Sequence, residues 1–443
     1  MLLIRFAIFL SLFTAVTKIF NVWAVGLGLM SGSVVSIAVV TAIFFCLNCF
    51  VLLSLYLVKE DLTLKRWGIP VILFVLVGPL VSTLFAMSFD ARAIVLNFLY
   101  LTYIFLSCYF LRRDRPKALA FFTVCLLFTC AAGAASVFFP EFFRRYAELA
   151  NRSEHYNGRA FGFYLQPNCL CVAVLITYLS VTLVDKSHKW TVLLYPVVLV
   201  TVVLSASRAG MGGMGIISVI FVARILVSSA AARATALRIL PFFVTLFLIA
   251  ISVFLLVRTD ERLTYISERF DSLLLFSSDF SEIQEDRSMI SRLDAQAEYW
   301  HMIKKRPIFG HGYGARTRLT EAKVLILTSH NAYLEILMEG GLVYFSTFLI
   351  FVFCLFQNYF WSRKHRSHDI SLLMSFEAFL AFMFFISFFD PSFFQHRCVY
   401  VFLGLLIARQ TEPAPRRTKP HTHPSPKRSR RNNVNNYFAG LIV

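Results

Sequence analysis

Long apolar segments follow one another along most of the chain, and short polar connections separate them. An apolar segment of about 20 residues is long enough to cross a bilayer as a helix, and uniform apolarity is unlike the alternation of barrel strands. The pattern therefore predicts an all-α polytopic membrane protein with about twelve transmembrane helices. The predicted spans are residues 5–27, 34–57, 69–88, 92–111, 118–139, 161–183, 190–206, 210–229, 238–257, 331–358, 369–389 and 396–409.

Composition supports this class. The chain of 443 residues is 58% hydrophobic and 15% charged, whereas soluble domains carry about 25% charged residues. The net charge of +18 would suggest nucleic acid as the partner of a soluble protein. Here the charge follows from topology, so we expect no nucleic-acid partner. The nine cysteines lie in or beside the apolar segments and predict neither a disulfide framework nor a metal site.

The distribution of basic residues predicts the orientation. Lysine and arginine concentrate in the connections after even-numbered spans and in the tail, which places this face and both termini in the cytoplasm. The opposite short loops contain arginine and no lysine. Arginine binds phosphate oxygens with a planar fork that keeps its charge. An anionic lipid-linked substrate is therefore expected on the outer face.

One long polar segment, residues 258–330, interrupts the apolar pattern. It holds 11 of the 25 acidic residues and an equal number of basic ones. We predict a small, mostly helical outer domain here, with helices at 263–275 and 291–305 and an apolar stripe that includes Leu293 and Trp300. The predicted divisions are spans one to nine (1–257), the outer domain (258–330), spans ten to twelve (331–409) and a disordered basic tail (410–443).

Arg208 stands in a very short turn between two predicted spans and is followed by several glycines. At a helix start, its guanidinium and the free backbone N–H groups could together face an anion. The alternative is a snorkelling arginine beside glycines that serve helix packing. Arg159 and Asn168 open span six, where Pro167 and Asn168 indicate either a helix lining a cavity or a kink.

Arg287 precedes the second predicted helix of the outer domain and Arg292 stands at its start, where a solvated charged face is the ordinary interpretation. His330 and Asn331 begin span ten, and Glu335 follows one turn later. A histidine at a helix start is most often a cap, but imidazole also accepts protons near neutral pH. No nucleotide-binding loop, paired carboxylates for a metal, or Ser-His-Asp arrangement is evident on the outer face.

Four of these segments resemble, in order, the O-antigen ligase and polymerase superfamily of bacterial envelope glycan enzymes. No single segment is specific, whereas the four together are. The matching segments are Arg159 to Asn168, Ser207 to Gly210, Ser291-Arg292 with Trp300 and Pro307 to Gly314, and His330 to Glu335 continuing to Gly341.

This resemblance implies a GT-C-like glycosyltransferase of the bacterial inner membrane that needs no metal or cofactor. It would take a polysaccharide from undecaprenyl diphosphate at the periplasmic face. By the same resemblance, Arg208 and Arg292 would hold the diphosphate and His330 would position or deprotonate the acceptor hydroxyl. We expect Arg159, Asn168, Arg287, Asn331 and Glu335 to contribute to substrate binding, with membrane lipids as further partners.

The acceptor is open between two sister reactions, with a protein O-glycosylating enzyme as a third possibility. A ligase would transfer the glycan to a lipid A-core sugar, and a polymerase would join lipid-linked repeat units. The chain departs from the ligase pattern at Tyr344, where that pattern has a glycine, while the extent of the outer segment favours a ligase. A transporter of the same lipid-linked glycan is the alternative from another class. It predicts ionisable residues deep in the spans, where Lys18 and Glu377 are the main examples.

Overall fold

The structure is a computed structural model that describes residues 2–19, 34–57, 67–86, 91–143, 159–164, 166–227, 287–322, 324–325, 329–367 and 369–412. The predicted span 238–257, the predicted helix 263–275 and the basic tail after residue 412 lie outside the described residues. Arg144, Arg145 and Arg152, which belong to the predicted short loops of the outer face, also lie outside the described residues.

Within the described residues the secondary structure is helical, and no strand occurs. Six helices are long and apolar enough to cross a membrane. Every predicted span except 238–257 overlaps one of the helices, but several of these helices are short, and the count of twelve stays a prediction. The helices are α1 Leu2–Thr17, α2 Val34–Leu57, α3 Gly68–Phe85, α4 Ala91–Arg113, α5 Arg115–Phe138, α6 Pro167–Val184, α7 Lys189–Leu204, α8 Arg208–Val227, α9 Arg287–Lys305, α10 Ala315–Glu321, α11 Ala332–His365, α12 Ile370–Ser387 and α13 Arg397–Thr411.

The centre of the bundle consists of α6 and α13. Apolar side chains cover all faces of both helices. Almost all residues of the two helices are buried, including every residue from Cys398 to Gln410. A helix that is hydrophobic on all faces has no side to offer to water, so it is buried by its neighbours or by lipid. The shortest predicted span, 396–409, therefore corresponds to a central helix.

Contacts between connections define one end of the bundle, which we call the basic end. Arg115 donates to the carbonyl of Val184 at 2.8 and 3.0 Å, and Arg409 pairs with Asp369 at 2.8 Å. These residues come from four different connections that the charge bias assigns to the cytoplasm. The structure thus gathers these connections at one end, while the side of the membrane that it faces stays a prediction.

The opposite end, which we call the site end, holds Asn168, Arg208, His330 and His396. Helix α6 has 18 residues, which at 1.5 Å per residue separates its two ends by about 27 Å. Asn168 at its start is therefore far from the basic end. Arg208, His330 and His396 stand at or just before the starts of α8, α11 and α13.

Helix α11 breaks at Gly341, where φ is 59° and ψ is −159°. The break frees backbone groups that the segment Pro307–Gly314 satisfies. The N–H groups of His311 and Gly312 donate to the carbonyls of Met338 and Glu339 at 2.9 and 2.8 Å. In return, the N–H groups after the break donate to the carbonyls of Pro307 and Ile308 at 2.9 and 3.1 Å. The glycine-rich segment therefore supplies the backbone hydrogen-bond partners that the break removes from the helix, a role that its sequence did not reveal.

Helix α9 packs on this same region, but its buried face differs from the predicted stripe. Tyr299, Met302 and Ile303 form a cluster with Met338 of α11. Leu293 and Trp300 are 62% and 51% exposed. The predicted stripe also included Ala297, which is exposed, and Ile303, which is buried. The stripe is thus confirmed at Ile303 and wrong at the other three positions, because the face that packs on α11 also contains Tyr299 and Met302.

We expect Gly310→Ala to destabilise the fold. Gly310 has a φ of +66°, and an added Cβ would lie 2.5 Å from the carbonyl oxygen of Glu339. Strain at positive φ together with this backbone clash should cost about 2 kcal/mol or more. Thermal unfolding in detergent micelles measures the loss.

The matched control is Gly215→Ala in α8, where an added Cβ meets nothing within 4 Å. This change should be neutral or stabilise the helix by up to about 1 kcal/mol. Equal losses in both variants would contradict the proposed backbone exchange between the glycine-rich segment and α11.

Candidate active site

The turn between α7 and α8 is fixed by Arg159. Its Nε donates to the carbonyl of Ser205 at 2.9 Å and its Nη2 to the carbonyl of Ala206 at 3.3 Å. Ala206 has a φ of 48°, an uncommon conformation for a residue with a side chain. Arg159 therefore stabilises the turn that precedes Arg208, so part of its hydrogen-bonding capacity serves the fold.

Asn168 fixes the start of α8 through Ser207. The hydroxyl of Ser207 accepts from the N–H of Gly210 at 3.0 Å, which caps the helix, and donates to Oδ1 of Asn168 at 2.7 Å. Arg208 is the first residue of this helix and is partly buried. Its guanidinium therefore belongs to a helix N-terminus, where backbone N–H groups and the helix dipole favour an anion.

The glycines after Arg208 serve packing. A Cβ on Gly210 would lie 2.4 Å from Sγ of Cys171 in α6, and one on Gly213 would lie 2.4 Å from the ring of Phe382 in α12. Close approach of three helices is thus built on small residues. The packing interpretation of these glycines is supported, and it is compatible with a functional role for Arg208.

The start of α11 carries the second group of predicted site residues. Asn331 is the N-cap, and its Oδ1 accepts from the N–H groups of Tyr333 and Leu334 at 2.9 and 3.2 Å. His330 precedes the cap with a φ of 51° and is partly buried. Asn331 therefore acts as a structural cap, and His330 lies one residue before this N-cap.

Arg292 lies on α9 and is partly buried. It precedes the buried Tyr299 by seven residues, about two helical turns, so both side chains lie on one face of α9. That face packs on α10 and α11. Arg292 thus belongs to a helix that packs on α11, and its placement close to His330 stays a prediction. Arg287 is the first residue of α9, and its side chain lies outside the description.

Glu335 makes an ion pair that the sequence did not predict. Nη1 of Arg316 donates to both carboxylate oxygens of Glu335 at 3.0 Å, and the amide of Gln395 donates to Oε1 at 2.9 Å. Glu335 is 3% exposed. Its negative charge raises the pKa of Arg316 further above the ordinary range, although burial opposes the shift. The pair links α10, α11 and the α12–α13 connection.

A second polar cluster lies beside these residues, formed by Cys169, Asp390 and His396. Nε2 of His396 lies 3.0 Å from Oδ2 of Asp390, and both side chains are almost fully buried. Burial tends to raise the pKa of Asp390, and the contact with His396 overcomes it and lowers the value.

Sequence reasoning missed Arg316, Gln395, Asp390 and His396 for a common reason. Each makes its contact across a turn or between helices, at a separation from 6 to 60 residues that no helical or strand periodicity predicts. The one available signal was the concentration of polar residues between spans eleven and twelve, where Asp390, Gln395 and His396 stand among phenylalanines. Such polar residues at a membrane boundary are costly to bury and tend to be functional.

The two ionisable residues noted within spans also have partners. Glu377 pairs with Arg224 and accepts from the hydroxyl of Tyr359. Lys18 lies with Nζ 4.9 Å from the centroid of the Tyr164 ring. Neither one is an isolated charge within the described part of the bundle.

Residues 193–349 match the family model described as O-Antigen ligase. The matched segment contains Arg208, Arg292 and His330 and ends before Asp390 and His396. A search of curated proteins finds no match.

We expect Arg316→Met to destabilise the site end. The change leaves the Glu335 carboxylate buried without its cation, which typically costs about 3–5 kcal/mol. Adding Glu335→Gln should recover a large part of this loss, because the neutral amide needs no counter-ion. Unfolding of both single variants and the double variant in detergent provides the cycle, and additive losses would show that the ion pair does not couple the two residues.

Proposed function

We propose that this protein is a membrane glycosyltransferase acting on lipid-linked polysaccharide, because residues 193–349 match the O-antigen ligase family model. The donor is a glycan on undecaprenyl diphosphate, and the acceptor is a sugar hydroxyl of the lipid A core. The observation that carries the proposal is the position of Arg208. It is the first residue of a helix whose start is braced by Asn168 and Arg159 at the site end.

The donor's diphosphate is the leaving group. Cleavage of the bond between the anomeric carbon and the diphosphate oxygen places negative charge on that oxygen. A guanidinium and backbone dipoles that are already in place stabilise such charge without reorganisation, so this step needs no metal. Arg208 supplies these groups at the start of α8, and Arg292 would supply a second guanidinium from α9.

The acceptor hydroxyl is prepared by His330. His330 lies just before the start of α11, where its imidazole can accept the proton as the hydroxyl attacks the anomeric carbon. Attack from the face opposite to the diphosphate inverts the configuration. Asn331 and Glu335 have structural partners, and we assign them to holding the start of α11 and Arg316 in position.

The sister reaction is the second candidate. Tyr344 marks the departure from the ligase pattern, and it packs inside the bundle. Its ring stacks on Phe74 at 5.8 Å, and a Cβ on Gly78 would lie 2.5 Å from it. Tyr344 thus fills the space beside Gly78 in the core, and its presence is no evidence for a polymerase.

The described helices give little support to the transporter alternative. Glu377, the acidic residue in a span, is held by Arg224 and Tyr359. A transport relay would need such a carboxylate to change partners during the cycle. The buried carboxylates of Glu335 and Asp390 instead lie at the site end, as expected for chemistry at a membrane surface.

Reconstitution decides the acceptor. The purified protein in lipid vesicles is supplied with an undecaprenyl-diphosphate-linked glycan and with either lipid A-core or a second lipid-linked repeat unit. We expect a glycan-bearing core on a gel, and we expect no lengthened lipid-linked chain. Lengthening without core modification would assign the protein to the polymerases, and the absence of both products would contradict the proposal.

Variants test the residues. Arg208→Ala should lower the transfer rate by about 10²–10³-fold, the usual cost of losing one charge-stabilising group. His330→Ala should lower it by about 10²–10⁴-fold, as for the loss of a general base. Arg363→Ala, an exposed arginine near the opposite end of α11, is the matched control and should retain full activity. Unchanged transfer in the Arg208 and His330 variants would refute the mechanism.

A further inference from the structure

Cys169, Asp390 and His396 bring three kinds of metal-binding atom to one place. The thiol sulfur, a carboxylate oxygen and a ring nitrogen lie within 4.8 Å of one another. Around a tetrahedral zinc ion, with bonds of about 2.0–2.3 Å, ligand atoms are about 3.3–3.8 Å apart. Small side-chain movements would therefore convert this cluster into a coordination shell.

The surroundings of the cluster already orient its ligands. Oδ1 of Asp390 accepts from the N–H of Ser392 at 2.9 Å, which leaves Oδ2 directed at His396. Cys169 is the third residue of α6, and its sulfur lies 3.2 Å from Oε1 of Gln166. A hydrogen bond to the carboxylate of Asp390 commonly fixes such a ligand in metal sites, whereas the bond from the Cys169 thiol places the sulfur before binding and is given up with the thiol proton. The three ligands are 8%, 4% and 2% exposed, so competing water is scarce.

We propose that Cys169, Asp390 and His396 form a binding site for a divalent transition-metal cation of the zinc class. Sulfur and imidazole ligands select such an ion over magnesium or calcium, which prefer oxygen ligands. On binding, Cys169 loses its thiol proton and His396 loses the proton on the coordinating nitrogen. One thiolate and one carboxylate then balance the charge of the ion, and a water completes the fourth position.

Lys18 is the natural competitor for this ion. It lies within electrostatic range of both Cys169 and Asp390. Replacing it with an uncharged side chain of similar length removes a repulsion from the bound cation. Lys18→Met should therefore tighten metal binding, whereas a purely structural lysine would leave the affinity unchanged.

The location gives the site a role apart from the transfer step. Cys169 adjoins Asn168, which holds the cap of α8. Ser392, two residues after Asp390, lies 3.5 Å from Nη1 of Arg316. A bound ion would join the start of α6 to the α12–α13 connection and stiffen the scaffold behind Arg208. The ion's role is structural, and its binding does not depend on the proposed reaction.

Cobalt binding to the full-length protein in detergent micelles tests the site. We expect one Co²⁺ per chain, with the intense charge-transfer absorption that a cysteine thiolate gives to this ion. Cys169→Ser should abolish that absorption, and His396→Gln should weaken binding by more than about tenfold. Cys354→Ser, a partly buried cysteine of α11, is the matched control and should leave the spectrum unchanged.

Two results would overturn the proposal. One is a wild-type protein that shows no thiolate absorption with Co²⁺, and the other is an absorption that survives Cys169→Ser. The wild-type protein alone provides a further measurement, should a variant fail to fold. Zn²⁺ should raise its melting temperature and a chelator should reverse the shift, because an ion that binds only the native state stabilises it. No shift would identify the cluster as a metal-free ion-paired group.

Discussion

Backbone carbonyls and N–H groups at helix ends and breaks must find partners inside this protein, because the bilayer core offers none. The chain meets this constraint repeatedly with arginine side chains. Arg115 and Arg409 bind the last carbonyls of α6 at the basic end, and Arg159 binds those of the α7–α8 turn at the site end. At the break in α11, a neighbouring loop supplies the donors and acceptors instead.

The same constraint explains the architecture of the candidate site. A functional helix N-terminus must keep its N–H groups available for substrate while the surrounding turn remains satisfied. Arg159 satisfies the carbonyls before Arg208, and Ser207 with Asn168 satisfies one N–H group of the first turn. The start of α8 is therefore held in place by side chains that we had expected to contact the substrate. Their expected contact with the substrate stays a prediction beside this structural role.

Charge at the site end is balanced by pairs of buried polar side chains. Glu335 is matched by Arg316 and Gln395, and Asp390 is matched by His396. The bond from Gln395 to Glu335 joins the α12–α13 connection to the segment that matches the family model. Burial makes such pairs dependent on one another, since the loss of one partner leaves an uncompensated charge in an apolar setting. The site end is thus an electrostatic unit assembled from several helices.

The sequence alone determined the class of the protein, because apolar length and charge bias are local properties that need no partner. It also identified Arg208, Arg292 and His330, since a resemblance depends on residue order. Only the tertiary structure decided what these residues stand beside. The break at Gly341 and the grouping of Cys169 with Asp390 and His396 arise from contacts between segments far apart in the chain. The face that α9 buries depends on the surface of α11 beneath it, and no local periodicity carries that information.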